Sequence, residues 1–187
     1  WPEQDALNES IKYFDGDELA AKVFLQKYAL RNSDGGIVEP SPEWMHKRIA
    51  HEFEDIESIL YPKNALSAAE IFRLLHKFKF FIPAGSPMYG IGNYYQHVSI
   101  GNCFAIGNNA DSYGGIMQLD EQLVQIMKRR GGVGIDLSHL RPRGESVSNA
   151  AKTTSGLSSF VNRYTRSTGE VAQDGRRGAL MLSCNAE

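Results

Sequence analysis

One change of pattern constrains the fold of this chain more than any other feature of its sequence. Up to about Phe81, apolar residues recur at helical spacing, whereas beyond that point short apolar strands alternate with helices. Between the two regions, residues 83–92 are rich in glycine, proline and serine, which predicts an ordered loop or a domain junction. We therefore expect two domains, a helical one over residues 1–97 and an α/β one over residues 98–187.

Helix-start signals divide the first domain into three or four amphipathic helices. A cap residue followed by apolar residues at helical spacing occurs at Asp17, Ser41 and Ser67. The second start has Pro42 at the first helical position, where its missing N–H costs nothing, and the third forms a capping box with Glu70. The apolar positions that define these helices, which should pack together, are Leu19, Val23, Phe24, Trp44, Ile49, Phe53, Ile56, Leu60, Ile71, Leu74, Leu75 and Phe78.

The pattern of the second region predicts alternating strands and helices. Strands are expected over residues 97–106, 133–137 and 179–182, and helices over residues 117–127 and 157–171. Alternation of this kind favours a parallel sheet or barrel. Since about three parallel strands without closing elements do not make a finished domain, we expect the chain to be the front part of a larger α/β protein.

Composition and charge exclude several classes of protein. The 187 residues carry 20 Lys+Arg against 22 Asp+Glu, which gives no electrostatic footprint for nucleic acid or a membrane surface. No apolar run approaches the roughly 18 residues of a membrane span, and no signal peptide opens the chain. Two cysteines, Cys103 and Cys184, do not make a disulfide scaffold, and the five histidines lack metal-ligand spacing. A soluble, cytoplasmic protein without a metal site is expected.

Cations and glycines gather in the second region. Five cations fall within residues 128–143, beside a stretch rich in hydroxyl and amide groups, residues 146–156. This composition fits phosphate binding and an ordinary solvated face equally well. Residues 173–178, with two arginines between glycines, fit either an anion-binding loop or an exposed connection. Residues 131–134 precede a strand, so they indicate a tight turn or a close approach to a ligand rather than a dinucleotide fingerprint.

Cys103 lies on a predicted apolar strand. A lone cysteine in such a place is more often an inert core thiol than a nucleophile. No serine–histidine–aspartate or cysteine–histidine spacing in the sequence argues for nucleophilic catalysis. The residues by themselves therefore favour a structural role for Cys103.

Four stretches of the second region stand out when they are taken in order: Asn102-Cys103-Phe104, Asp111-Ser112, GGVGIDLSHLRPRG over residues 131–144 and QDGRRGA over residues 173–179. Together they resemble the catalytic large subunit of ribonucleotide reductase. The helical region resembles the same subunit at Tyr13-Phe14-Asp15 and over residues 27–31, so the resemblance covers nearly the whole chain. It implies an α/β fold class, with a helical domain followed by the first strands and helices of a ten-stranded barrel. It also implies radical-based reduction of ribonucleotides to deoxyribonucleotides.

The resemblance implies roles for individual residues. Cys103 takes the position of the first of two redox cysteines on adjacent barrel strands, which form a disulfide as the ribose 2′-hydroxyl is reduced. The implied substrate-binding positions near it are Ser86, Asn102 and Gly132. The implied effector-binding positions are Asp111 (for the deoxyribose hydroxyl), Ser112, Arg141 (for phosphate), Val147, Ser148, Gln173 and Arg177. Residues 146–154 correspond to a first specificity loop, and residues 172–178 to a second, which links effector base to substrate base.

Cofactors and partners follow from the resemblance as well. This portion binds no cofactor directly but takes a dNTP or ATP effector. The radical comes from a metal-containing partner subunit in class I or from adenosylcobalamin in class II, and the motifs lean towards class I. A homodimer through the helix that begins at Ser112 and a thioredoxin- or glutaredoxin-type reductant are also implied. Whether the substrate is a diphosphate or a triphosphate stays open.

Several parts of the family's machinery are expected outside residues 1–187. An ATP-cone domain would precede the helical region, and the radical cysteine and the second redox cysteine would follow residue 187. This portion alone should therefore be inactive. Cys184 matches no family position, and we expect it to be a buried or incidental thiol.

Two other functions fit the sequence. One is a non-catalytic nucleotide-binding and dimerisation module, which would bind effector without any requirement for Cys103. The other is a phosphate-binding scaffold, which would bind triphosphates whatever their base. Loss of turnover on changing Cys103 argues against the first, and discrimination between dNTPs argues against the second.

Overall fold

The computed structural model describes residues 1–171 and 178–185. The chain divides into two compact units, Trp1–Ile100 and Gly101–Glu187. The described part of the first unit is helical, and that of the second contains a parallel sheet with two helices. A helical region followed by parallel strands in an unclosed sheet is the fold class that the sequence predicts.

Five α-helices form the described first unit. Their bounds are α1 Glu3–Tyr13, α2 Glu18–Lys27, α3 Pro42–Leu60, α4 Ala68–Leu75 and α5 Gly85–Gly90, with a 3₁₀ turn at His76–Phe78. The three starts predicted from the sequence are confirmed. Asp17 accepts a hydrogen bond from the Ala20 amide at 2.9 Å, and Ser67 forms the full capping box with Glu70. Ser41 occupies the cap position of α3 but makes no capping bond.

The core of the first unit forms where α1, α2, α3 and α4 meet. Phe24, Met45, Ile49, Ile71 and Leu75 are among its buried residues. Other apolar positions predicted on these helices are exposed instead: Leu19 at 73%, together with Trp44, Phe53, Ile56, Leu60 and Leu74. The 19-residue α3 packs against α4, which has only eight residues, so its C-terminal apolar stripe extends past its cover. No helix within the described residues is long and apolar enough to cross a bilayer.

Residues 83–92 differ from the prediction. The sequence predicts a loop, but the structure has the short helix α5 over Gly85–Gly90, with Ser86 and Tyr89 buried. Pro87 is tolerated because it lies in the first turn, where its missing N–H has no helical partner. The side chain that bonds to the end of this short helix is Arg48 of α3, forty residues before Met88 in sequence.

Three parallel strands form the sheet of the second unit, in the order β1-β2-β3. They are β1 Cys103–Ile106, β2 Gly132–Asp136 and β3 Leu180–Ser183, joined by α6 Tyr113–Met127 and, before β3, α7 Leu157–Glu170. In the register, Cys103 lies opposite Gly132 and Val133 opposite Leu180. The first strand is shorter than predicted, since residues 97–102 lie outside it.

Two helices pack on the sheet and form its core. Buried side chains of α6, β2 and α7 meet there, among them Leu119, Leu123, Met127, Ile135 and Tyr164. The Tyr164 hydroxyl donates to the carbonyl of Ile116 at 3.1 Å, which satisfies its polar atom and ties α7 to α6. The first turn of α6 is thereby fixed against α7.

Candidate functional site

A cavity of about 310 Å³ opens in the second unit between the start of α6, the segment after β2 and the start of α7. All five effector-binding positions that the resemblance implies within the described residues line it: Asp111, Ser112, Arg141, Val147 and Ser148. The five come from two segments about thirty residues apart in sequence, which the resemblance assigns to one effector-binding site. The cavity has the mixed polar and aromatic lining typical of a small-ligand site.

The N-terminus of α6 forms one wall of the cavity. Ser112 caps the helix by accepting a hydrogen bond from the Gly115 amide at 3.2 Å. The Asn108 side chain donates to the Gly115 carbonyl at 3.1 Å and accepts from the Ala110 amide at 3.1 Å. A Cβ at Gly115 would lie 2.7 Å from the Ala110 carbonyl oxygen, so this close packing requires glycine. The positive end of a 15-residue helix favours an anion beside it.

Arg141 and Asp111 form an ion pair in the same wall. The Nε of Arg141 donates to Oδ2 of Asp111, and its Nη1 donates to the carbonyl oxygen of Ser146 at 2.7 Å. Both side chains of the pair remain partly exposed. The pair therefore links the segment before α6 to the segment after β2 and presents a cation at the cavity.

Residues 144–154 form a hairpin-like wall rich in hydroxyl and amide groups. Its backbone pairs run from the Gly144 amide to the Thr154 carbonyl at 3.0 Å and from the Val147 amide to the Lys152 carbonyl at 2.9 Å. The hairpin ends at Gly156, whose φ of +81° is left-handed and whose Cβ would lie 2.7 Å from the backbone of Arg143. The hydroxyls and amides on this wall belong to Ser148, Asn149, Thr153, Thr154 and Ser155.

An aromatic pair forms the apolar side of the cavity. The rings of Tyr113 and Phe160 have centroids 6.1 Å apart and meet edge to face at 81°. Tyr113 is 61% exposed, so its face is open to a planar ligand. Sequence reasoning missed both rings, although Tyr113 directly follows Ser112; Phe160 lies 47 residues further on, and only the packing of α7 brings it near.

The cationic cluster predicted over residues 128–143 does not gather at one site. Of its members, only Arg141 lines the cavity; Lys128, Arg129, Arg130 and Arg143 do not. Arg129 folds back to donate to the Gln125 carbonyl at 2.6 Å, at the C-terminal end of α6. Cations at that end are stabilised by the helix dipole, so Arg129 stabilises the end of α6.

Three further predicted residues come together at the start of the β1–β2 pair. Cys103 is the first residue of β1 and lies opposite Gly132, whose amide donates to the Asn102 carbonyl at 2.7 Å. The Cys103 side chain is exposed, so the core position favoured by the residue pattern alone is wrong. The reason is that side chains alternate along β1: Phe104 and Ile106 are half-buried, whereas Cys103 and Ala105 point to the other face of the sheet and are exposed. A Cβ at Gly132 would lie 3.3 Å from Ala179, so the close approach there is to a neighbouring segment.

The remaining predicted residues lie elsewhere. Ser86 belongs to the first unit, where it is buried on α5. Gln173 and Arg177 fall outside the described residues. Cys184 is exposed just after β3, which removes the first of the two expectations, a buried or an incidental thiol. Because the strands are parallel, Cys103 and Cys184 lie at opposite ends of the sheet. Within residues 1–171 and 178–185, no three His, Cys, Asp or Glu side chains gather as a metal site.

Comparison with protein families assigns both units. The model of the ribonucleotide reductase all-alpha domain matches residues 14–94, and the model of the ribonucleotide reductase barrel domain matches residues 101–186. The chain belongs to the ribonucleotide reductase large-subunit family. The open sheet of the second unit is accordingly the beginning of the reductase barrel, as the resemblance implies.

Curated relatives of this chain are named as large chains or large subunits of ribonucleoside-diphosphate reductase. It is 27% identical to the ribonucleoside-diphosphate reductase large chain 2 of Saccharomyces cerevisiae over 96% of its own length. It is 27% identical to the large subunit of Trypanosoma brucei brucei over 95% of its length, and 23% identical to that of Variola virus over 93%. It spans only about a fifth of each relative, 20% of the yeast protein and 21% of the other two.

Proposed function

We propose that this chain is the N-terminal part of a ribonucleoside-diphosphate reductase catalytic subunit, and that its cavity binds the deoxyribonucleotide effector. The observation that carries the proposal is the convergence of Asp111, Ser112, Arg141, Val147 and Ser148 on one cavity. Diphosphate substrates are proposed because the relatives are named ribonucleoside-diphosphate reductases. A homodimer, formed through α6, and a separate radical-generating subunit belong to the same proposal.

The walls of the cavity support a nucleotide ligand. Arg141 and the N-terminus of α6 offer a charge and oriented N–H groups for phosphate. The hydroxyl-rich hairpin offers further donors, and Tyr113 offers a ring face on which a base can stack. Asp111 offers a carboxylate oxygen to the deoxyribose hydroxyl while its Oδ2 stays bonded to Arg141.

Cys103 is proposed as one of the two thiols that reduce the ribose. Two thiols lose two electrons and two protons to form a disulfide, the 2′-carbon gains hydrogen, and the hydroxyl leaves as water. Exposure of Cys103 at the start of an edge strand leaves its sulfur accessible to such a partner thiol. On this proposal, the second thiol, the radical and the thioredoxin- or glutaredoxin-type reductant are supplied from outside residues 1–187.

Effector binding tests the proposal. In the longest natural polypeptide that carries this sequence, dNTP affinities are measured by isothermal titration calorimetry for the parent protein and for Arg141→Met, Asp111→Asn and Arg129→Met. We expect the parent to discriminate between dNTPs. Arg141→Met and Asp111→Asn should weaken binding about tenfold or more, the loss expected for a charge-assisted hydrogen bond. Arg129→Met is the matched control, because Arg129 belongs to the same sequence cluster but bonds to α6.

Two results would contradict the proposal. Equal affinity for triphosphates of any base would instead support a phosphate scaffold without nucleotide specificity. Equal weakening by Arg129→Met and Arg141→Met would mean that overall charge, and not the cavity, determines binding.

A further inference from the structure

Helix α5 is too short to hold its conformation by itself. It has six residues, of which two are glycine and one is proline. Isolated helices of this length are unstable in water, and glycine is among the weakest helix formers. The conformation of α5 therefore depends on contacts from outside the helix.

Arg48, on α3, makes such contacts. Its Nη2 donates to the Met88 carbonyl at 2.9 Å, and its Nη1 donates to the Ile91 carbonyl. These carbonyls lie at the C-terminal end of α5, where a helix has no internal donors left. One guanidinium from a position forty residues earlier thus completes the end of α5.

Glu39 holds the guanidinium of Arg48 in turn. The Nε of Arg48 donates to Oε1 of Glu39 at 2.6 Å, and Nη2 donates to Oε2 at 3.1 Å. Oε2 also accepts a hydrogen bond from the Leu30 amide at 3.2 Å. The side chains of Arg48 and Glu39 are only 11% and 4% exposed, so the pair is nearly removed from water. A two-point pair of this kind fixes the plane of the guanidinium, which a lysine could not do.

Gly92 brings the chain after α5 directly against Arg48. Its φ is +68°, and a Cβ there would lie 2.9 Å from Cγ of Arg48 and 2.7 Å from Cγ of Glu52. The segment that leaves α5 therefore packs on the aliphatic part of Arg48, while the carbonyls of α5 bond to its head group. Both ends of the Arg48 side chain define where α5 lies.

We propose that the Glu39–Arg48 pair holds α5 in position and thereby sets how tightly the protein binds the ribonucleotide substrate through Ser86. This inference rests on the proposed function and on the substrate-binding role that the resemblance implies for Ser86. Ser86 is 1% exposed, so its access to a ligand depends on where α5 lies. It is two residues before Met88, whose carbonyl Arg48 holds. Arg48 and Glu39 are positioning residues that need not touch the substrate.

Four variants of the full-length reductase, assayed with its radical-generating partner, test this role. Arg48→Met removes every hydrogen bond of the guanidinium, and Arg48→Lys keeps the positive charge. Glu39→Gln removes the negative charge of the pair but leaves the bonds of Arg48 to the Met88 and Ile91 carbonyls. Arg73→Met is the control, an exposed arginine on α4 of the same unit. The measurements are KM and kcat for a ribonucleoside diphosphate, the dissociation constant of the dNTP effector, and circular dichroism.

The expected pattern separates positioning from general stability. Arg48→Met should raise KM about tenfold, the loss of about one charge-assisted hydrogen bond, while kcat and effector affinity stay within about twofold. Arg48→Lys should give an intermediate KM, and Glu39→Gln a smaller rise than Arg48→Met. Arg73→Met should match the parent. If Arg48→Met fails to fold because Glu39 is left as a buried unpaired charge, the double variant Glu39→Gln/Arg48→Met replaces it and should show the same rise in KM.

Different failures have different meanings. An unchanged KM in a folded Arg48→Met or double variant overturns the positioning role alone. Equal losses of substrate and effector affinity overturn it too, because they indicate general destabilisation. If the parent protein binds no ribonucleotide, the proposed function fails and the inference fails with it.

Discussion

Arg141 binds Asp111 across thirty residues of sequence, and the pair stands in the wall of the cavity. A long cationic side chain usually loses rotamer freedom when it binds a phosphate. Asp111 and the Ser146 carbonyl hold the guanidinium of Arg141, so this side chain has little rotamer freedom left to lose. On the proposed function, that restraint favours binding of the effector phosphates.

Removing the Cys103 thiol should abolish turnover without affecting the cavity. In the complete reductase, we expect Cys103→Ser to lower kcat by a factor on the order of a thousand or more, because the thiol supplies electrons to the reaction. Effector affinity should stay within about twofold, since Cys103 does not line the cavity. Steady-state turnover and calorimetry check the two expectations.

Cys184→Ser is the control for this experiment. Cys184 is also exposed but lies after β3, at the other end of the sheet. Its replacement by serine should therefore leave turnover unchanged. Full turnover by Cys103→Ser would instead favour a non-catalytic nucleotide-binding module.

Replacing Gly115 should distort the cavity wall, whereas replacing its neighbour should not. A Cβ at Gly115 would meet the Ala110 carbonyl oxygen at 2.7 Å and Asn108 Oδ1 at 2.9 Å, so we expect Gly115→Ala to lower the free energy of unfolding by about 1–3 kcal/mol. Effector affinity should fall with it, because Asp111 follows the displaced Ala110. Urea unfolding and calorimetry give the two values.

Gly114 supplies the matched control on the same helical turn. A Cβ there would lie 3.8 Å from Ser112 Oγ, an ordinary contact. Gly114→Ala should therefore raise stability by up to about 1 kcal/mol through helix propensity. A loss of similar size in both variants would mean that any added methyl group in this turn destabilises α6, and that the contact with Ala110 does not explain the effect.

Two left-handed glycines in the hairpin wall should differ in their tolerance of alanine. Gly144 has a φ of +91° with no neighbour within 4 Å, so Gly144→Ala should cost only backbone strain, about 1–2 kcal/mol. Gly156→Ala adds a contact of 2.7 Å with the Arg143 backbone and should cost at least about 1 kcal/mol more. Thermal unfolding compares the two, and equal losses would show that the Arg143 contact relaxes freely.

His46 should make the helical unit sensitive to mild acid. It is fully buried on α3, and in the part of the chain that the structure describes neither ring nitrogen has a hydrogen-bond partner. Burial, with a smaller effect of His76, lowers the pKa of His46 to about 4. Between pH 6.5 and 4 the unfolded chain thus binds a proton that the folded chain does not. The free energy of unfolding should therefore decrease as the pH is lowered from 6.5 to 4, by about 3 kcal/mol in total.

Replacement of His46 isolates this effect. His46→Leu should flatten the dependence of unfolding free energy on pH between 6.5 and 4, measured by urea titration followed through Trp44 fluorescence. His51→Gln, at an exposed position on the same helix, should leave it unchanged. An equally steep dependence in His46→Leu would assign the acid sensitivity to other groups.

Features determined by neighbouring residues were predictable from the sequence, and those determined by distant contacts were not. The caps at Asp17 and Ser67 satisfy amides three residues away, so the starts of α2 and α4 followed directly. Helix α5 did not, because its carbonyls are satisfied by Arg48. Periodicity also located the apolar face of α3 without showing that α4 leaves Ile56 and Leu60 uncovered.

The cavity shows the same limit. The resemblance assigned Asp111 and Arg141 to one effector site, but it gave no sign that the two side chains bind each other. The cationic cluster looked uniform in sequence, yet Arg129 serves the end of α6. Phe160 carried no local signal at all, since its proximity to Tyr113 depends on how α7 packs.

The strand order β1-β2-β3 has a practical consequence for work on this chain by itself. Among the described residues, β1 and β3 each pair on one side only, so each offers a row of backbone N–H and C=O groups on the other. Such rows template the addition of strands from other molecules, and the exposed Cys103 on β1 adds the hazard of intermolecular disulfides. Preparations of the isolated chain should therefore self-associate through their strands, and a covering segment or low protein concentration with a reductant should keep them dispersed.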